Sequence, residues 1–279
     1  MSPPRATQAE DERPADEGVE PDAADARAES DAGDGDDSFA TTSDVQVLVP
    51  RTTPDDTRAT FGYALALTAA ASAAFHFGLS PELRAKNLSL AVIGGLYAAF
   101  AVLAVLRLRR AQNLRTLRPR GGDVTLATIV AAALWGLGLL ASKLILAPGS
   151  SREGWLVNVY LLLGNPAAPS HHAASIAVFF VGAAEEISWR GLVLDSLEGR
   201  LGPLRAAVVT SALWAFAHVP TVYRLGDALS GYNPLLVLAA FGCGLVWSFL
   251  RFRTGRLAVA VLSHAIFSWA VVEFPLWKP

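Results

Sequence analysis

The chain has a single cysteine, Cys243, among its 279 residues, which leaves no partner for an intrachain disulfide and excludes a thiolate metal cluster. Any metal would have to be held by histidine and carboxylate. Charge is scarce too: only 17% of the residues are Asp, Glu, Lys or Arg against 52% hydrophobic, too apolar for a water-soluble domain of this length. The sequence lacks a basic opening followed by a short apolar core, so it is not expected to carry a secretory signal, and insertion would be led by a later helix. No internal repeat relates one half to the other, which weighs against an inverted-repeat transporter. Large apolar side chains are almost missing from residues 1–44, which hold 14 acidic residues and 3 arginines. Such a segment cannot bury enough surface to offset its ordering entropy. Residues 1–58 are therefore expected to form a disordered acidic tail, and residues 59–279 a transmembrane helical domain.

What the rest of the chain has is apolar runs of membrane-spanning length, about 17 to 25 residues for roughly 30 Å of hydrocarbon. They are Thr60–Leu79, Leu88–Leu106, Val124–Leu146, Ala173–Leu194, Ala206–Val219, Pro234–Leu250 and Leu257–Glu273. The fold class is all-α, a polytopic bundle of about seven spans. The shorter run Trp155–Leu163 reads as an interfacial or re-entrant piece, and would make an eighth span if it crossed. Pro220 is expected to end or kink the fifth span. With the N-terminus in the cytoplasm, 13 Lys and Arg fall on the cytoplasmic side and 5 on the other, which favours this orientation in the cytoplasmic membrane. The Arg107–Arg120 cluster is explained equally by this topology signal and by anionic lipid.

A charge at the bilayer centre costs at least about 2.5 to 3.5 kcal/mol, so each one asks for a partner or a role. The fourth span carries three: Glu185, Glu186 and Arg190. Helical spacing puts Glu186 and Arg190 at i, i+4 on one face, while Glu185 points about 100° away. Glu186 is then expected to stay ionised as a structural partner, leaving Glu185 for general base chemistry. A purely structural ion network is the alternative, and it leaves one carboxylate uncompensated. Two other spans supply His218 and His264. At about 1.5 Å per residue from the cytoplasmic ends, Glu185 lies roughly 15 Å deep, His264 roughly 12 Å and His218 roughly 20 Å, within one slab of membrane. His76, His171, His172 and Lys143 are set aside, the first as interfacial, the two adjacent histidines as part of a loop before the fourth span, and the lysine as a snorkelling residue. Gly94, Gly95, Gly242 and Gly244 read as helix-packing positions.

These residues resemble the CPBP family of intramembrane proteases, which includes CaaX prenyl endopeptidases and bacterial proteins linked to bacteriocin processing and immunity. The resemblance covers about Ala173–Ser268, placing a catalytic core at about 173–270. Glu185, Glu186 and Arg190 match Glu-Glu-x-x-x-Arg, followed by Gly191. Trp214 to His218 match the spacing of Phe-x-x-x-His, with Trp for Phe, and His264 to Ser268 match a His followed four residues later by Asn, with Ser for Asn. The resemblance implies that Glu185 and His218 activate a water, that His264 and Ser268 stabilise the oxyanion, and that Glu186, Arg190 and Trp214 support them. Ser268 offers a short hydroxyl where the family has a reaching amide.

No cofactor is favoured. Zinc held by Glu185, His218 and His264 is the alternative, although the chain has no His-Glu-x-x-His helix. The expected partners are membrane lipids and a peptide or protein substrate entering from the membrane, with no nucleic acid. Nothing in the sequence points to a prenyl pocket. Two competing classes are a non-catalytic immunity or peptide-binding protein of the same fold and a small proton-coupled transporter.

Overall fold

A computed structural model describes residues 54–146, 149–163 and 171–276. The expected acidic tail lies outside the described residues, apart from the start of the first helix. The elements, in chain order, are α1 (Pro54–Gly78), α2 (Pro81–Ala85), α3 (Ser89–Arg110), a short 3₁₀ turn (Leu114–Leu117), α4 (Asp123–Ile145), α5 (Glu153–Leu163) and α6 (His171–Ser188). A π-helical turn (Trp189–Leu194) continues α6, followed by α7 (Asp195–Leu201), α8 (Pro203–Ala217), α9 (Val219–Arg224), α10 (Leu235–Thr254) and α11 (Leu257–Glu273). No β-strand occurs among the described residues, only an isolated bridge between Asp227 and Gly231.

All seven expected spans are helical. Five stretches, in α1, α3, α4, α8 with α9, and α10, are long and apolar enough to cross a membrane. The other two fall short for identifiable reasons: α11 has 17 residues, and the α6 segment carries Glu185, Glu186 and Arg190 in its own apolar run. The chain is an integral membrane protein. Leu144, Leu204, Phe216 and Phe249 are each exposed by more than 60%, an arrangement suited to lipid and costly in water.

Local chemistry sets the helix ends. Gly202 takes φ 74° before Pro203, whose fixed φ and missing N–H suit the first turn of α8. Gly255 takes φ 64° beyond α10 and returns its N–H to the Arg251 carbonyl at 2.9 Å, closing the helix. Pro220 interrupts the fifth span at His218, but the chain resumes helix to Arg224. The proline therefore breaks the span without ending it, because its ring stands in the first turn of α9, where no intrahelical N–H is needed.

Helix α6 runs at the centre, packed on α11 and α3, while α8 packs on α10 and α1, and α4 lies against α11. Asp123 at the start of α4 is fully buried and pairs with Arg256 just before α11 at 2.5 Å. The run Trp155–Leu163 is helical as α5, too short to span, and is docked by specific bonds. Trp155 Nε1 donates to the Ser230 carbonyl at 3.0 Å, Asn158 Nδ2 to Gly226 at 3.1 Å, and Tyr160 Oη to Val271 at 3.0 Å. One further expectation is corrected. His171 and His172 form the first turn of α6, not a loop, and His172 lies 3.3 Å from Glu273 at the end of α11.

Candidate active site

Glu186 is fully buried and its Oε1 accepts from Arg190 Nη1 at 2.8 Å, the i, i+4 pair read from the spacing. The same oxygen accepts from His264 Nδ1 at 3.1 Å. Arg190, also fully buried, donates its Nη2 to the Gly244 carbonyl at 2.8 Å and lays its guanidinium 4.7 Å from the Trp214 ring centre. A planar fork with separate donors can serve a carboxylate, a carbonyl and an aromatic face together. The pair thus binds α6, α10 and α11 through one charged centre.

Glu185 behaves differently. It is buried, accepts no direct hydrogen bond among the described residues, and lies with its Oε2 3.7 Å from His264 Nε2. That gap is beyond a direct hydrogen bond and within the span of one bridging water. The two adjacent glutamates are therefore inequivalent, as their 100° separation on the helix requires.

His264 is further fixed by stacking on Trp247, ring centres 3.9 Å apart and planes within 19°. Trp247 is itself anchored by donating to Ser263 Oγ at 3.1 Å. His218 sits at the break between α8 and α9, where its ring folds back so that Nδ1 lies 2.9 Å from the Trp214 carbonyl. A carbonyl only accepts, so Nδ1 carries the proton and Nε2 is left as the basic nitrogen. The Trp214 ring stands between the two histidines, 5.3 Å from His218 and 5.5 Å from His264. Phe75 of α1 covers the far side of His218 at 4.4 Å.

Ser268 lies on α11 one turn beyond His264, and its Oγ is 2.9 Å from the position a side chain on Gly182 would take. Gly182 thus lets α11 approach α6 one turn before the acidic pair. Gly244 does the same for α10, since a Cβ there would meet Arg190 Nη2 at 2.9 Å and Ser211 at 3.0 Å. Of the glycines expected to serve packing, Gly94 meets Val181 at 2.9 Å, while Gly95 and Gly242 have nothing within 4 Å.

Several site residues carried no sequence signal. The π turn holds Trp189 fully buried beside Arg190, and Arg107 of α3 donates to the Leu192 carbonyl at 3.4 Å and to Ser196 Oγ. An arginine from the topology-signal cluster thus satisfies a carbonyl of the widened turn. Tyr97, Trp247 and Phe75 looked like ordinary apolar-run residues in the sequence. A tyrosine in mid-span, where its hydroxyl has no water, was the one available hint.

Among the described residues no group of three or more His, Cys, Asp or Glu side chains that could hold a metal ion is found.

The family model described as type II CAAX prenyl endopeptidase Rce1-like matches residues 167–270. That stretch contains Glu185, Glu186, Arg190, Trp214, His218, His264 and Ser268, and is consistent with a CPBP family intramembrane protease. No curated protein and no solved structure matches the chain.

Proposed function

We propose that this chain is an intramembrane endopeptidase that hydrolyses a peptide bond of a membrane-associated peptide or protein with water activated by Glu185 and His218. The observation that carries this reading is the division of labour in the acidic pair. Glu186 is occupied by Arg190 and His264, whereas Glu185 is buried beside them with no direct hydrogen bond among the described residues. A carboxylate with no direct hydrogen bond among the described residues, its Oε2 3.7 Å from His264 Nε2, is suited to remove a proton from water. The match to a protease family over the same helices supports hydrolysis as the reaction class.

In this reading Glu185 takes a proton from the water, whose oxygen attacks the scissile carbonyl, while His218 orients that water through Nε2. When the tetrahedral species collapses, the C–N bond breaks and the leaving amine receives the proton held by Glu185. Glu186 and Arg190 keep α6, α10 and α11 in register. His264 and Ser268 face the same region from α11, and His264 serves the oxyanion only when Nε2 also carries a proton, because Nδ1 donates to Glu186. The substrate enters from the membrane, and the N-terminus lies in the cytoplasm. The test is processing of a membrane-peptide mixture by purified protein in liposomes. Glu185→Ala and His218→Ala should each abolish cleavage while the protein stays folded and inserted, and unchanged cleavage in both overturns the assignment.

A further inference from the structure

The last turns of α3 have two sides. Leu108, 2% exposed, turns inward to the π turn, where a side chain on Gly191 would meet it at 3.6 Å. Leu103, Leu106, Arg107 and Arg110 stand at i, i+3, i+4 and i+7, a spacing that puts them together on another face of the helix. That face lines a cavity of about 350 Å³, whose remaining walls are Tyr63 of α1 and Leu192 of the π turn.

The cavity wall changes character along the helix. Leu103 and Leu106 are 50% and 45% exposed, and Arg110 ends α3 one turn further on, so the wall passes from apolar to cationic over about 10 Å. Tyr63, 41% exposed, adds an apolar ring with a hydroxyl, the kind of side chain that collects at the membrane–water boundary. Among the described residues no carboxylate pairs with Arg107 or Arg110. Arg107 spends Nη1 on both the Leu192 carbonyl and Ser196 Oγ, which leaves Nε and Nη2 without a protein partner among the described residues. A topology signal needs basic residues at this end of the bundle and no hollow between them. Leucines on the membrane side and two arginines at the end follow the order of acyl chain and phosphate in a phospholipid, and guanidinium takes phosphate through paired N–H donors.

We propose that this cavity binds an anionic phospholipid, its phosphate held by Arg107 and Arg110 and an acyl chain laid along Leu103 and Leu106, and that the lipid steadies the π turn through Arg107. The Leu192 carbonyl is served by Arg107 from outside its own helix. An occupant that fixes this guanidinium therefore holds a contact of the segment that carries Arg190. The proposal does not depend on which group is the general base.

The experiment titrates the full chain in neutral detergent with dioctanoyl phosphatidylglycerol, dioctanoyl phosphatidylcholine or inorganic phosphate and follows the melting temperature, which a ligand of the folded chain raises. Phosphatidylglycerol should raise it saturably. The other two should do little, since phosphatidylcholine has no net charge and phosphate has no chains. Arg110→Gln should weaken phosphatidylglycerol binding about tenfold or more, through loss of a charge-assisted bond. Arg115→Gln, at an exposed arginine of the 3₁₀ turn outside the cavity, removes the same charge and should bind as wild type. Leu106→Ser should weaken binding about threefold or more, and decides the matter if Arg110→Gln fails to fold. Hydrogen exchange of the π-turn amides should slow at saturating phosphatidylglycerol. No saturable rise, or equal weakening by Arg110→Gln and Arg115→Gln, overturns the site. An equal rise with inorganic phosphate overturns the lipid as its occupant, and an equal rise with phosphatidylcholine overturns the preference for charge. Unchanged exchange overturns the link to the turn.

Discussion

A single oxygen, Glu186 Oε1, accepts both from Arg190 at 2.8 Å and from His264 at 3.1 Å. Breaking a buried ion pair from one side strands the other charge, which costs about 3–5 kcal/mol. Glu186→Ala should therefore lower thermal stability in detergent by an amount of that order, whereas Glu185→Gln should melt close to wild type and lose cleavage. Melting curves read beside activity for the two variants separate scaffold from base.

Arg190 serves three groups at once, and a lysine has one ammonium with which to replace them. Arg190→Lys is expected to destabilise the fold by about 2–4 kcal/mol, since the Gly244 carbonyl and the Trp214 face lose their partner even if the ion pair is kept. Denaturant or thermal unfolding of the purified variant gives the value.

Two glycines on one helix make a paired test. Gly244→Ala drives a methyl to within 2.9 Å of Arg190 Nη2 and should cost about 1–3 kcal/mol. Gly242→Ala enters open space and should be neutral or stabilise α10 by up to about 1 kcal/mol.

Asp227, in the segment between α9 and α10, accepts from the backbone N–H of Leu229 at 2.8 Å and of Ser230 at 3.1 Å, which holds its carboxyl below the ordinary value of 3.8. A lowered folded value means that its contribution is present above the unfolded value and is lost as pH falls through the folded one. Asp227→Ala should thus reduce the stability of this segment at neutral pH and leave it unchanged at strongly acidic pH. Hydrogen exchange of the Leu229 and Ser230 amides across pH reads this directly.

The elements of the site differ in how far the sequence disclosed them, and the difference is one of range. Glu186 and Arg190 are four residues apart on one helix, so helical geometry alone paired them, and membrane depth alone put Glu185, His218 and His264 at similar heights. The contact of His264 with Glu186 joins residues 78 apart and depends on α6 and α11 lying side by side, which no local periodicity encodes. Tyr97 and Trp247 were hidden because an aromatic in an apolar run satisfies the same pattern whether it faces lipid or a buried polar cluster. Pro220 was read correctly as a disturbance. The disturbance sits at His218, two residues before the proline, and the ring turns back on the Trp214 carbonyl four residues earlier, a local contact that hydropathy does not specify.

The π turn from Trp189 to Leu194 also bears on what lengths of chain this site tolerates. A π turn holds an extra residue relative to α-helix, so it acts as an insertion absorbed within the helix. Deleting one residue there, Gly191 for example, would restore an unbroken α-helix and leave the residues beyond it on their present faces, whereas the same deletion in regular α-helix would turn them by about 100° around the axis. Arg107 would then lose the Leu192 carbonyl, which an unbroken α-helix would claim for its own N–H ladder. The acidic pair, lying before the turn, would keep its own face. The turn is thus a phase adjuster that lets the glutamate-bearing half of the helix and the half that feeds α8 each meet its own neighbours.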